Sequence, residues 1–148
     1  MLDEVTCAQG AEIEARFHSE CSLEAHERFV LLKGGSGPRE VRGGSEGSFA
    51  GASAAAEPGV MALIPIVDHA FTIRKDRHAY LPVNASAELT WIPYCGVISQ
   101  APREQNLIAT IILPVQDQQE AQQIADSATL TRDTQNNVNI SFSKGGRA

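Results

Sequence analysis

The sequence predicts a mainly antiparallel all-β fold, a β-sandwich or partly open barrel of about seven to nine strands with one short helix near residues 116–128. Three observations carry this expectation. The stretch Ala11–Leu31 runs with a period of two, in which Ile13, Ala15, Phe17, Cys21 and Leu23 alternate with Glu12, Glu14, Arg16, His18, Ser22 and Glu24. Short apolar or alternating segments then recur along the chain, with turn residues between them. Only one segment carries a helical period, so a parallel α/β architecture lacks the crossover helices it needs.

The chain opens with a lead of about ten residues containing an edge-strand candidate at Val5–Cys7. In the alternating stretch, a strand keeps Ala15 and Leu23 on the apolar side. A helix built on Ile13, Phe17 and Cys21 would rotate both toward the charges. The strand is therefore preferred, and its excessive length calls for a bend near Ser19–Ser22. Residues 33–59 are rich in glycine and polar side chains and read as a long loop. They contain no GxxxxGK[ST] or GxGxxG pattern and lead into no amphipathic helix, which argues against a phosphate cradle.

From Val60 the strand character returns. Val60–Val67 is apolar with Pro65 inside it, the mark of an edge strand or a bulge. Phe71 and Ile73 alternate before the charged run Arg74–Arg77, and Ala79, Leu81 and Val83 alternate after it. That pattern predicts a hairpin with its tip at Lys75–Asp76. Ala87–Ile92 is a further strand, ended or bulged by Pro93–Gly96. Leu107–Leu113 is apolar on both faces, as a fully buried strand would be, and Pro114 is expected to end it. Gln116–Ala128 fits a helix whose stripe is Val115, Ala121, Ile124, Ala125 and Ala128, with Asp117, Gln118, Glu120, Gln122 and Gln123 toward water. Ala128–Arg132 and Val138–Phe142 flank Asp133–Asn137 as a last hairpin, and 144–148 is a basic tail.

At 148 residues the chain suits one domain, 1–148, large enough to bury a core without metal or disulfide staples. The formal charge is −6, and residues 1–32 hold seven acidic against two basic side chains. This imbalance repels polyanions, so neither nucleic acid nor an anionic membrane is an expected partner. The run Arg74–His78 is read as a solvated turn. Cys7, Cys21 and Cys95 are odd in number and lack CxxC spacing, which suits free thiols in a reducing compartment. With no signal-peptide pattern and no apolar run of membrane-spanning length, the expected location is the cytoplasm.

No compact catalytic motif is present. His69 and His78, brought opposite each other by the expected hairpin, would offer a metal two imidazoles beside Asp68, although Asp68 and His69 as strand neighbours point to opposite faces. Cys95 is a nucleophile candidate if His69 or His78 reaches it, and otherwise a small packed hydrophobe. Tyr80, Trp91 and Tyr94, with Phe71, account for four of the eight aromatics within 24 residues, the raw material of a binding platform. No cofactor is implied. The expected function is therefore a non-enzymatic binding or assembly module, with a protein partner or self-association through sheet edges. A small-ligand or carbohydrate-binding barrel and a metal-dependent or Cys–His enzyme are the alternatives.

Overall fold

The computed structural model describes residues 1–8, 11–19, 21–34, 59–80, 90–99 and 104–144, with Tyr80 and Thr90 described by backbone alone. Most of the expected 33–59 loop, the turn at Asn84–Ser86 and nearly all of the 144–148 tail lie outside these residues. Ten strands occur among the described residues, above the expected seven to nine, with one helix. In chain order they are β1 (Leu2–Thr6), β2 (Glu14–His18), β3 (Ser22–Ala25), β4 (Val30–Lys33), β5 (Val60–Val67), β6 (Phe71–Tyr80), β7 (Thr90–Ser99) and β8 (Gln105–Val115). Helix α1 (Gln118–Ser127) and the hairpin strands β9 (Thr129–Arg132) and β10 (Val138–Ser141) follow.

All pairing is antiparallel. A five-stranded sheet has the order β1-β8-β5-β4-β3, a three-stranded sheet the order β2-β7-β6, and β9 pairs with β10 alone. Among the described residues the sheets do not close into a barrel. The alternating stretch breaks where the bend was expected: β2 joins one sheet and β3 the other, and the Cys21 N–H donates to Ser19 Oγ at the corner.

The five-stranded sheet is the middle layer, which explains why its strands β4, β5 and β8 are apolar on both faces. On one face Phe29, Leu31, Ala62, Ile64 and Val115 pack against Ala121, Ile124 and Ala125 of α1. Ile66 and Ala109 continue that face beneath Ala128 and Leu130, where the β9–β10 hairpin begins. On the other face Leu23, Val30 and Leu63 meet Cys95, with Phe17 and Ile73 alongside, so the three-stranded sheet forms the opposite cover. The helix stripe read from the sequence is the buried one. Glu120, expected in water, is instead buried at the helix start. Its Oε2 accepts from the Gln116 N–H at 2.6 Å, while its own N–H donates to the Asp117 cap at 2.9 Å.

Four expectations about strand ends and sheet edges need correction. Arg74–Arg77 is the middle of the ten-residue strand β6, not a hairpin tip; β6 pairs with β7 from Phe71–Ser99 to Tyr80–Thr90, and the residues that connect them lie outside the described ones. Strand β7 runs unbroken through Pro93 and Gly96, and β8 through Pro114. Strand β5 is central rather than an edge. The prolines are nevertheless placed by one rule. Pro65 lies beyond the last β4 pair at Leu63, Pro93 beyond the last β2 pair at Tyr94, and Pro114 beyond the last β1 pair at Ala109. Each sits where its strand has a ladder neighbour on one side only, so the missing amide need not break a ladder.

Candidate functional site

The register of the three-stranded sheet decides which side chains meet. Glu14, Arg16 and His18 of β2 share its outer face with Tyr94 and Gly96 of β7 and with Arg74, Asp76 and His78 of β6. The Glu14 carboxylate lies over Gly96. It takes hydrogen bonds from Arg16 Nε at 2.7 Å and from Arg74 Nη2 at 2.7 Å. Burial works against its charge, and the two guanidinium groups outweigh that, holding the carboxyl below its ordinary range. A Cβ on Gly96 would overlap Glu14 Oε1, so only glycine lets the carboxylate lie flat there. Arg16 also stands 5.1 Å over the Tyr94 ring, and Arg74 reaches the phenol oxygen at 3.5 Å. Tyr94 is consequently only 4% exposed on what would otherwise be an open sheet face.

The opposite side of the same hairpin carries Lys75, Arg77, Trp91 and Pro93, in register with the inward-facing Cys95. Beyond Cys95 this side extends past edge strand β3, over which β6 and β7 pack. The overhang is wet: Arg74 to His78 are all exposed, and Trp91 keeps 49% of its surface. The Arg77 guanidinium sits 4.8 Å from the Trp91 ring centre. An open cleft of about 400 Å³ is lined by Lys75, Asp76, Arg77 and Pro93.

The sequence-predicted sites are redistributed. Trp91 and Tyr94 are three residues apart on one strand and face opposite sides, so no single platform holds both. Tyr80 pairs with Thr90, which puts it in register with the Tyr94 side, and its side chain lies outside the described residues. The His69–His78 pair does not form either. His78 is opposite Ile92, whereas His69 precedes β6, and nine residues of extended chain separate them by roughly 30 Å. Among the described residues no three metal-ligating side chains converge. Cys95 is fully buried, and burial pushes its thiol pKa up, the opposite of what a nucleophile requires.

Asp68 and His69 instead meet Ser99. Asp68 Oδ1 lies 2.6 Å from His69 Nδ1, and Nε2 is hydrogen-bonded to Ser99 Oγ. The order carboxylate–imidazole–hydroxyl is that of a hydrolase triad, but the setting differs. Ser99 is 6% exposed, and its backbone N–H donates to Ile13 O at 3.0 Å rather than facing a substrate oxyanion. The neighbouring cavity of about 240 Å³ touches Asp68 but neither His69 nor Ser99. The trio fastens the β5–β6 corner to the end of β7.

Sequence reading missed the pairing of Arg77 with Trp91 and the Glu14 clasp. The signal was the alternation itself: Glu14, Arg16, His18 and Arg74, Asp76, His78 both keep period two, as strand faces do. The fold defines an open antiparallel β-sandwich with a helix and a hairpin on its second face and a charged, overhanging strand pair at one end. No protein-family model, curated protein or solved structure matches the chain. No helix among the described residues is long and apolar enough to cross a membrane.

Proposed function

We propose that this protein is a non-enzymatic binding module that takes an acidic segment of a partner protein against the overhanging side of the β6–β7 hairpin. One observation carries the reading. In a chain of net charge −6, Arg77 stands over the chain's only tryptophan and, with the exposed Lys75, lines an open cleft. An exposed tryptophan paired with an arginine is a composition that binding hot spots favour. A short acidic peptide meets the cations locally. An extended polyanion would also meet the acidic surface of residues 1–32, so a nucleic acid fits less well.

Self-association through sheet edges has weaker support. β6 carries Arg74, Lys75, Asp76 and Arg77 in succession, and β1, β2 and β3 carry Asp3, Glu4, Glu14, Arg16 and Glu24. Charges along edges oppose pairing with a further strand. A second copy is a fitting partner only where its acidic surface meets the hairpin.

Trp91 supplies the test. Titration with a glutamate-rich peptide should shift its fluorescence, with the effect weakened by salt and by Lys75→Ala or Arg77→Ala. An unchanged spectrum overturns the proposal, as does tighter binding of a single-stranded oligonucleotide than of the peptide. Light scattering on the untagged protein then decides whether the partner is a second copy.

A further inference from the structure

We infer that His18 of β2 and His78 of β6 form a two-histidine site for a first-row transition-metal ion on the outer face of the three-stranded sheet. The two strands flank β7, and both imidazoles lean over it. Their ring centroids are 6.1 Å apart with the planes inclined at 71°. A zinc ion bound at about 2.0–2.1 Å from a ring nitrogen lies about 3.2 Å from that ring's centre, so two rings sharing one ion stand about 5.2 Å apart at a tetrahedral angle and at most about 6.4 Å apart when the angle opens fully. The observed separation lies between these values, and a side-chain movement of about 1 Å by the two exposed imidazoles brings it to the tetrahedral spacing.

The surroundings suit a cation despite the arginines nearby. Arg16 and Arg74 are both tied to Glu14, and Asp76 shares the face two residues from His78 and opposite Tyr94. Two cations and two anions cancel around the pair. Tyr94, 5.5 Å from the His18 ring, fills the floor between the strands and keeps that imidazole from lying flat. Both histidines are exposed, and neither has a hydrogen bond among the described residues that metal binding would have to break. Neutral imidazoles select Zn²⁺, Cu²⁺ or Ni²⁺ over Mg²⁺ or Ca²⁺. With two protein nitrogens, the remaining coordination positions are open to water.

This site lies on the opposite side of the hairpin from Lys75, Arg77 and Trp91, and it stands independently of the peptide-binding proposal. The test is calorimetric titration of the untagged full chain at neutral pH with ZnCl₂ and CuCl₂. One ion per chain is expected, with no uptake of Mg²⁺. His18→Ala and His78→Ala should each weaken binding by at least about tenfold, while His26→Ala leaves it unchanged. In the unsubstituted protein, Ni²⁺ should broaden the ring-proton resonances of His18 and His78 before those of His26 and His69. Absence of saturable binding, retention of affinity in both alanine variants, or broadening centred on another histidine would each overturn the assignment.

Discussion

Glu14 shows how one backbone atom sets the chemistry of a sheet face. Its carboxylate can lie across β7 only because position 96 has no Cβ, and there it gathers both Arg16 and Arg74. Gly96→Ala should push the carboxylate aside and lower stability by about 1 kcal/mol. In a Glu14→Ala background the same substitution should cost much less, because the steric conflict is gone; urea denaturation of the double-mutant cycle reads the coupling. Additive losses would show that Glu14 does not occupy the space over Gly96. Cys95 gives a second expectation at this scale. Burial raises its thiol pKa, so a thiol reagent should modify it only after denaturant is added, whereas the half-buried Cys7 and Cys21 should be modified in the folded protein. Mass spectrometry of the labelled peptides distinguishes the three.

At the scale of elements, α1 illustrates a helix specified at its start as well as along its buried stripe. Asp117 caps the Glu120 N–H, and Glu120 returns the bond to Gln116, which is why an acidic residue is buried beneath an otherwise apolar contact. Asp117→Ala should cost about 1 kcal/mol, measured as a shift of the denaturation midpoint. The stripe beneath it carries more. Phe29 is fully buried between β4 and α1, so Phe29→Ala should cost about 3–5 kcal/mol. Phe17 is half-buried on the opposite face and should cost no more than about half as much. Equal losses at the two positions would contradict the layered packing. The helix boundaries, its stripe and the last hairpin were legible in the sequence because local period and local turn residues define them. The end of β7 was not. Proline and glycine read as terminators locally, and it is the end of the β2 ladder before Pro93, leaving β6 as its ladder neighbour on one side only, that makes the proline harmless.

For the molecule as a whole, three layers share the stability, and their polar ties share one pH dependence. Glu14 is held below the ordinary carboxyl range once its arginines outweigh burial, Glu24 by the hydrogen bond from Lys33, and Asp133 by the Asn137 side chain and backbone amide in the last turn. A carboxyl whose pKa is lower folded than unfolded contributes stability that is present above the unfolded value. That contribution disappears as pH falls through the folded value. Denaturant midpoints should therefore be flat near neutrality and fall on acidification below about pH 4.5, and Glu14→Gln should flatten part of that fall. A midpoint that rises on acidification would reverse the assignment.

The sequence by itself determined the all-β antiparallel class, the break at Ser19–Ser22, the strand around Leu107–Leu113 and the single amphipathic helix, although that strand, read as buried on both faces, is buried only as far as Thr110 and leaves Ile112 50% exposed. Each follows from the alternation of side chains along the local backbone, which hydrophobic burial reads one residue at a time. Only the tertiary structure decided that β2 and β3 part into different sheets, that Arg74–Arg77 lies within a strand, and that His18 rather than His69 stands beside His78. Those outcomes depend on register between strands far apart in the chain. A shift of one residue would carry every side chain to the other face, and no local pattern contains that choice. Histidines and aromatics were legible as candidate residue types, but their grouping was fixed by the ladder, which placed His18 and His78 on one side of the sheet and Lys75, Arg77 and Trp91 on the other.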